Sequence, residues 1–179
     1  MKSPVTEICD LNSELPPDAP DAPQWLVDAL QVPREEGWVT SEGCEVHYFR
    51  WGDPANPPLL LMHGFLAHAR CMAFIAPFLA EQYHVVAYDL SGMGDSGVRS
   101  SYPDAIRAQE VVDVARETGL FDHAIKPIVI AHSYGGHVGL AAMNDFHELF
   151  GGLVVCDLMV LRPERLKAHF GGGRPMRSD

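Results

Sequence analysis

The sequence predicts an α/β fold, a mostly parallel sheet with helices on both faces. Three observations carry that expectation. Short continuous apolar runs, such as Pro58-Leu59-Leu60-Leu61-Met62, have the length of strands buried on both faces. Stretches with apolar residues at helical spacing alternate with those runs, which makes the connections crossovers between parallel strands. The third is the stretch Ile128 to Met143, IVIAHSYGGHVGLAAM: an apolar run stops at Ser133, small residues crowd that serine, and a helical pattern follows.

Taken in order, residues 1 to 36 are acidic and proline-rich and read as a linker or wrapping arm. Leu15 to Pro23 (LPPDAPDAP) supports neither a helix nor a central strand. Trp25 to Leu30 can form one docked helical turn. The core is expected over 37 to 160, followed by a tail or the start of a further segment over 161 to 179. Trp38 to Ser41 and Glu45 to Trp51 read as a hairpin turning at Glu42-Gly43. Pro58 to Met62 is a strand, Arg70 to Glu81 a helix, and His84 to Tyr88 another buried strand. Ser101-Tyr102-Pro103-Asp104 opens a helix that Gly119 closes, with Ile106, Val111, Val112 and Ala115 on one face. Residues 127 to 131 form a strand, Tyr134 to about His147 a helix, and Gly152 to Cys156 the sixth strand.

Composition narrows the function classes. The chain has 179 residues, 47% of them hydrophobic and 21% charged, enough for one domain with a sizeable core. A formal net charge of -11 and the lack of a basic patch argue against nucleic acid or an anionic membrane as partner. No secretory leader or transmembrane run is visible. Cys9, Cys44, Cys71 and Cys156 match neither a zinc pattern nor a disulfide framework, so a cytoplasmic setting is expected.

Ser133 stands where a buried strand turns sharply into a helix. Such a turn holds the serine in a strained conformation with its hydroxyl projecting over the sheet. The residues two before and two after, Ala131 and Gly135, must then be small, and Gly136 lets the helix approach the sheet. The helix N-terminus aims backbone N–H groups at whatever the hydroxyl attacks. Small-x-Ser-x-Gly in this setting is a nucleophile elbow. The competing reading is an ordinary helix-capping serine.

From Trp38 to Asp157 the chain resembles the α/β-hydrolase superfamily, on three motifs in the family's order. Leu61-Met62-His63-Gly64-Phe65 resembles its His-Gly loop after the third strand. Tyr88 to Gly97 (YDLSGMGDSG) resembles its Asp-x-x-Gly-x-Gly-x-Ser loop after the fourth. Ala131-His132-Ser133-Tyr134-Gly135-Gly136 is similar to its elbow, with Ala131 where the family usually has glycine. The resemblance implies Ser133 as nucleophile, the N–H groups of Phe65 and Tyr134 as oxyanion hole, and His63 and Gly64 as site-lining residues. It implies no metal and no organic cofactor. His63 and His132 are expected to be structural, and Asp89, Asp95 and Ser96 to tie their loop by hydrogen bonds.

A serine nucleophile needs a base and an orienting acid. Asp157 ends the sixth strand, where some members carry the acid and others only cap a loop. The one histidine beyond it is His169, which reaches the site only if the tail folds back. The sequence stops before the family's last strands and histidine. The expectation is an α/β-hydrolase fold truncated after the sixth strand, either an incomplete chain or a short relative pairing through that strand's exposed edge, as a homodimer or with a partner.

The function implied is an esterase-like serine hydrolase acting on a small-molecule ester or related carbonyl substrate through an acyl-enzyme. The alternative is a catalytically inactive protein of the same fold acting as an interaction module. Gly92-Met93-Gly94-Asp95-Ser96-Gly97 also matches a dinucleotide fingerprint, but that fingerprint requires a helix to open within it, and here the helix starts only near Pro103.

Overall fold

The computed structural model describes residues 22–158. The chain runs α1 (Gln24–Leu30), β1 (Glu35–Ser41), β2 (Cys44–Trp51), β3 (Pro58–Met62), a 3-10 turn (Ala69–Met72), α2 (Ala76–Ala80), β4 (His84–Tyr88), α3 (Asp104–Glu117), β5 (Ile128–His132), α4 (Tyr134–Phe146), a 3-10 turn (His147–Leu149) and β6 (Gly152–Cys156). One six-stranded sheet has the order β1-β2-β4-β3-β5-β6. β1, β2 and β4 are joined antiparallel, and β4, β3, β5 and β6 run parallel. The predicted α/β class with a mostly parallel sheet is what the chain adopts.

β3 and β4 are buried along their whole length because both faces are covered. On one face Leu60, Met62, Val86, Tyr88 and Val129 meet Val111, Val112 and Ala115 of α3 and Val138 and Ala142 of α4. On the other, Phe49, Trp51, Leu59, Leu61, Val85 and Ala87 meet Ala69, Ala73 and Ala76. Period-two alternation therefore feeds two separate cores.

The structure departs from the sequence expectation at several elements. The helix expected over 70–81 is broken into the 3-10 turn and α2. Pro77 lies in the first turn of α2; it lacks an N–H and its ring crowds the carbonyl four residues back, so an unbroken helix cannot pass through it. β1 starts at Glu35 rather than at Trp38, and α1 meets α2 through Trp25 against Phe78. The boundary expected at residue 36 thus falls inside an ordered strand. The first 21 residues and the segment from 159 onward, with His169, lie outside the described residues.

Candidate active site

β5 delivers Ser133 to the sheet's carboxyl end. Ser133 has φ +50° and ψ -116°, a left-handed backbone rare for a residue with a Cβ. Its N–H donates to the Cys156 carbonyl at 2.8 Å, so the elbow is tied to the end of β6. Although Ser133 is the N-cap residue of α4, its hydroxyl makes no capping hydrogen bond. Among the described residues no side chain hydrogen-bonds that hydroxyl. A plain helix-capping role is therefore overturned by the geometry.

The small residues are explained one by one. A Cβ on Gly135 would lie 2.6 Å from the His63 carbonyl oxygen and 3.1 Å from Met62 Cβ. A Cβ on Gly136 would lie 2.8 Å from Val155 Cγ1 of β6. Ala131 is fully buried, and its methyl faces Gly139 of α4, where a Cβ would lie 3.7 Å away. The methyl at 131 is thus met by a residue of the facing helix that has no side chain.

The loop after β3 passes beside the elbow. A Cβ on Gly64 would lie 3.2 Å from Ser133 Cβ and 2.9 Å from His132 Nδ1. Phe65 follows, with its ring edge-on to Tyr134 at 5.8 Å between centroids. Among the backbone hydrogen bonds of the described loops and turns, none uses the N–H of Phe65 or of Tyr134 as donor. Tyr134 is the first residue of α4, where an N–H has no partner within the helix.

The histidine of that loop is structural. His63 is buried, its Nδ1 donates to the Gly64 carbonyl at 2.7 Å, and its Nε2 accepts from the Leu90 N–H at 3.0 Å. Burial lowers its pKa, so the imidazole stays neutral with both nitrogens engaged. It braces the loop and leaves no nitrogen for Ser133.

The loop after β4 is held by its own carboxylate. Asp89 accepts from the Ala69 and Asp95 N–H groups and from His47, and its carbonyl accepts from the Ser96 hydroxyl at 2.6 Å. Burial pushes the Asp89 pKa up, but these donors outweigh it and hold the group below the ordinary carboxylate value. A Cβ on Gly94 would fall 2.2 Å from the Asp89 carboxyl carbon. No helix opens in this loop before Asp104, which removes the dinucleotide reading.

Two features were not legible in sequence. His47 carries no motif that marks it; it is fully buried, with Nδ1 2.8 Å from Asp89 and Nε2 2.7 Å from Glu36. Beneath Tyr134, the Arg99 and Arg107 guanidinium groups lie 3.0 and 3.3 Å from the buried Glu110 carboxylate, and both donate to Ser91 Oγ at 2.9 Å. The Arg107 guanidinium stacks 4.6 Å over Tyr102 and lies 5.9 Å from the Tyr134 ring. Helical periodicity identifies apolar faces, and the signal for this network is the three-residue spacing of Asp104, Arg107, Glu110, Asp113 and Arg116 along α3.

Asp157 is exposed and follows β6 at φ +54°, next to the carbonyl that Ser133 grips. Ser133, Phe65, Tyr134, Gly64 and the end of β6 are therefore brought together, whereas His169 falls outside the described residues. Among the described residues, no helix is long and apolar enough to cross a membrane.

A profile described as "Alpha/beta hydrolase family" matches residues 59–178. The chain is similar to the "Uncharacterized hydrolase YugF" of Bacillus subtilis, 27% identical over 135 residues that cover 74% of this chain and 48% of that one. It is also similar to the "Soluble epoxide hydrolase" of a Corynebacterium strain, 31% identical over 65% of this chain and 39% of that one. Among solved structures, the esterase RhEst1 from Rhodococcus superposes with a TM-score of 0.63 at 27% identity, covering 70% of this chain and 46% of that one. The chain spans half or less of the length of each of these proteins.

Proposed function

Since the chain belongs to the alpha/beta hydrolase family, we propose that it carries the nucleophile half of an esterase-like serine hydrolase. Ser133 Oγ attacks the carbonyl carbon of a small-molecule ester. The oxyanion that forms is held by the N–H groups of Phe65 and Tyr134, at the positive end of α4. A histidine takes the serine proton and returns it to the leaving alcohol, and water then releases the acyl group. That histidine is His169 or one from a segment beyond these residues, and Asp157 is the candidate to orient it. No metal or organic cofactor takes part in this chemistry.

The observation that supports the reading is a non-glycine residue at φ +50° whose hydroxyl makes no hydrogen bond among the described residues. Strain of this kind costs on the order of 1–3 kcal/mol and persists where the surroundings impose it. Intact-mass spectrometry after a fluorophosphonate probe tests the reading. One adduct per chain, absent in Ser133→Ala, is expected. No adduct, or one that survives Ser133→Ala, overturns it.

A second reading, an interaction module without turnover, is favoured by β6. Among the described residues only β5 pairs with it, and Val154 is 49% exposed. Such an edge is a template for pairing with a second copy. Val154→Lys would then lower the self-association measured by analytical ultracentrifugation, and an unchanged sedimentation profile removes this reading.

A further inference from the structure

Away from Ser133, at the opposite end of the sheet, the chain carries a concave site. A cavity of about 440 Å³ is lined by Arg50, Pro54, Ala55, His84, Thr118, Gly119, Asp122 and His123. His84 is the first residue of β4, whereas the elbow follows the last residue of β5. About four strand residues, at roughly 3.3 Å each, separate the two ends of the sheet. Nothing in the proposed hydrolysis uses these side chains.

His84 is 1% exposed, and its Nε2 is buried without a hydrogen-bond partner. Its Nδ1 faces His123 Nε2 at 3.5 Å, with ring centroids 5.7 Å apart and planes tilted by 46°. An N–H···N bond at that distance is at the weak limit, since ordinary ones lie near 3 Å. The two nitrogens that face each other are therefore only weakly bonded, and they, rather than the enclosed Nε2 of His84, are the pair open to an ion. Zinc bound to two imidazoles at about 2.0–2.1 Å in tetrahedral geometry sets the two nitrogens about 3.4 Å apart. The observed separation fits that value better than it fits a good hydrogen bond.

We propose that His84 Nδ1 and His123 Nε2 form a two-histidine site for a divalent transition-metal ion of the zinc or copper kind. Imidazole donors select such ions over magnesium or calcium, which prefer all-oxygen shells. His123 sits in the turn that follows α3, so a small swing of its ring brings both lone pairs onto one ion. Asp122 lines the same cavity without closing on the two imidazoles as a third donor. Water completes the shell. The positive charge of Arg50 is offset by its ion pair with Glu35. Burial, with Arg50 and His123 nearby, also drives the His84 pKa down to about 4, which keeps its lone pair free of protons at neutral pH.

The test is isothermal titration of the whole chain with Zn²⁺ at pH 7.5, with thermal unfolding in parallel. One ion per chain and a raised Tm are expected. His123→Ala should weaken binding by at least about tenfold, and Asp122→Asn less, while Ser133→Ala binds normally. His123→Asn serves as the second variant where the alanine form misfolds. Two other side-chain groups could capture the ion: His68 with the exposed Cys71, about 3.9 Å apart, and the Glu36, His47 and Asp95 cluster, whose donor atoms lie within 4.8 Å. Absence of saturable heat overturns the proposal. So does binding that persists in His123→Ala and is lost in Cys71→Ser or Glu36→Gln.

Discussion

At the scale of single residues, the elbow sets a trade between stability and chemistry that one substitution can expose. Ser133 is held at φ +50°, where glycine is at ease and any Cβ is strained. Ser133→Gly is expected to raise the Tm, by about 1 kcal/mol of relieved strain, while removing all reaction with a fluorophosphonate. Ser133→Ala should leave the Tm near the parent value, since it keeps the strain and loses no hydrogen bond. Equal Tm values for the glycine and alanine variants would show that the left-handed backbone stores no strain. The residue scale was also the most legible. Ser133, Gly135 and Gly136 announce themselves because only small side chains fit between β3, β5, β6 and α4, and that steric demand is written directly as residue type. His47 did not announce itself: a lone histidine on a strand looks alike whether it faces water or two carboxylates.

At the scale of elements, α3 is held by charge as much as by apolar contact. Glu110 is fully buried between Arg99 and Arg107 and also accepts from the Ser91 N–H at 3.0 Å. It links the loop after β4 to the helix that underlies Tyr134. Removing one member of a buried ionic cluster leaves the others unpaired, which costs about 3–5 kcal/mol. Glu110→Ala is therefore expected to lower stability by that amount in urea unfolding, with Glu110→Gln intermediate. A loss under about 1 kcal/mol would mean that water replaces the carboxylate. This network explains where the sequence reading fell short. Charged residues at helical positions are taken as solvated, and only the fold brings the partners that allow their burial. The break before α2 has the same character in reverse. The apolar spacing over 70–81 is real, but Pro77 forbids continuity, and the local rule wins over the periodic one.

At the scale of the whole molecule, three buried groups set the response to acid: His63 and His84, whose pKa values burial lowers, and Asp89. The folded chain holds His84 neutral down to about pH 4, against 6.5 in an unfolded chain. As pH falls below 6.5 the unfolded state takes up a proton that the folded state refuses, so stability drops between pH 6.5 and about 4 and is unaffected by this group above that window. The amount at stake is up to about 3 kcal/mol. Asp89 acts lower down: its folded pKa lies below 3.8, so its contribution is intact at neutral pH and is lost only as the carboxylate protonates below that value. The two windows can be separated. Chemical denaturation from pH 7.5 down to 4.5 should show falling stability in the parent chain and a flatter profile in His84→Gln, which cannot take up the proton. Parallel profiles for the two would mean that His84 is as easily protonated in the fold as outside it. Saturating Zn²⁺ should hold the parent profile up near pH 6.5 and leave His84→Gln unchanged, because an ion on Nδ1 stabilises only the folded, neutral imidazole.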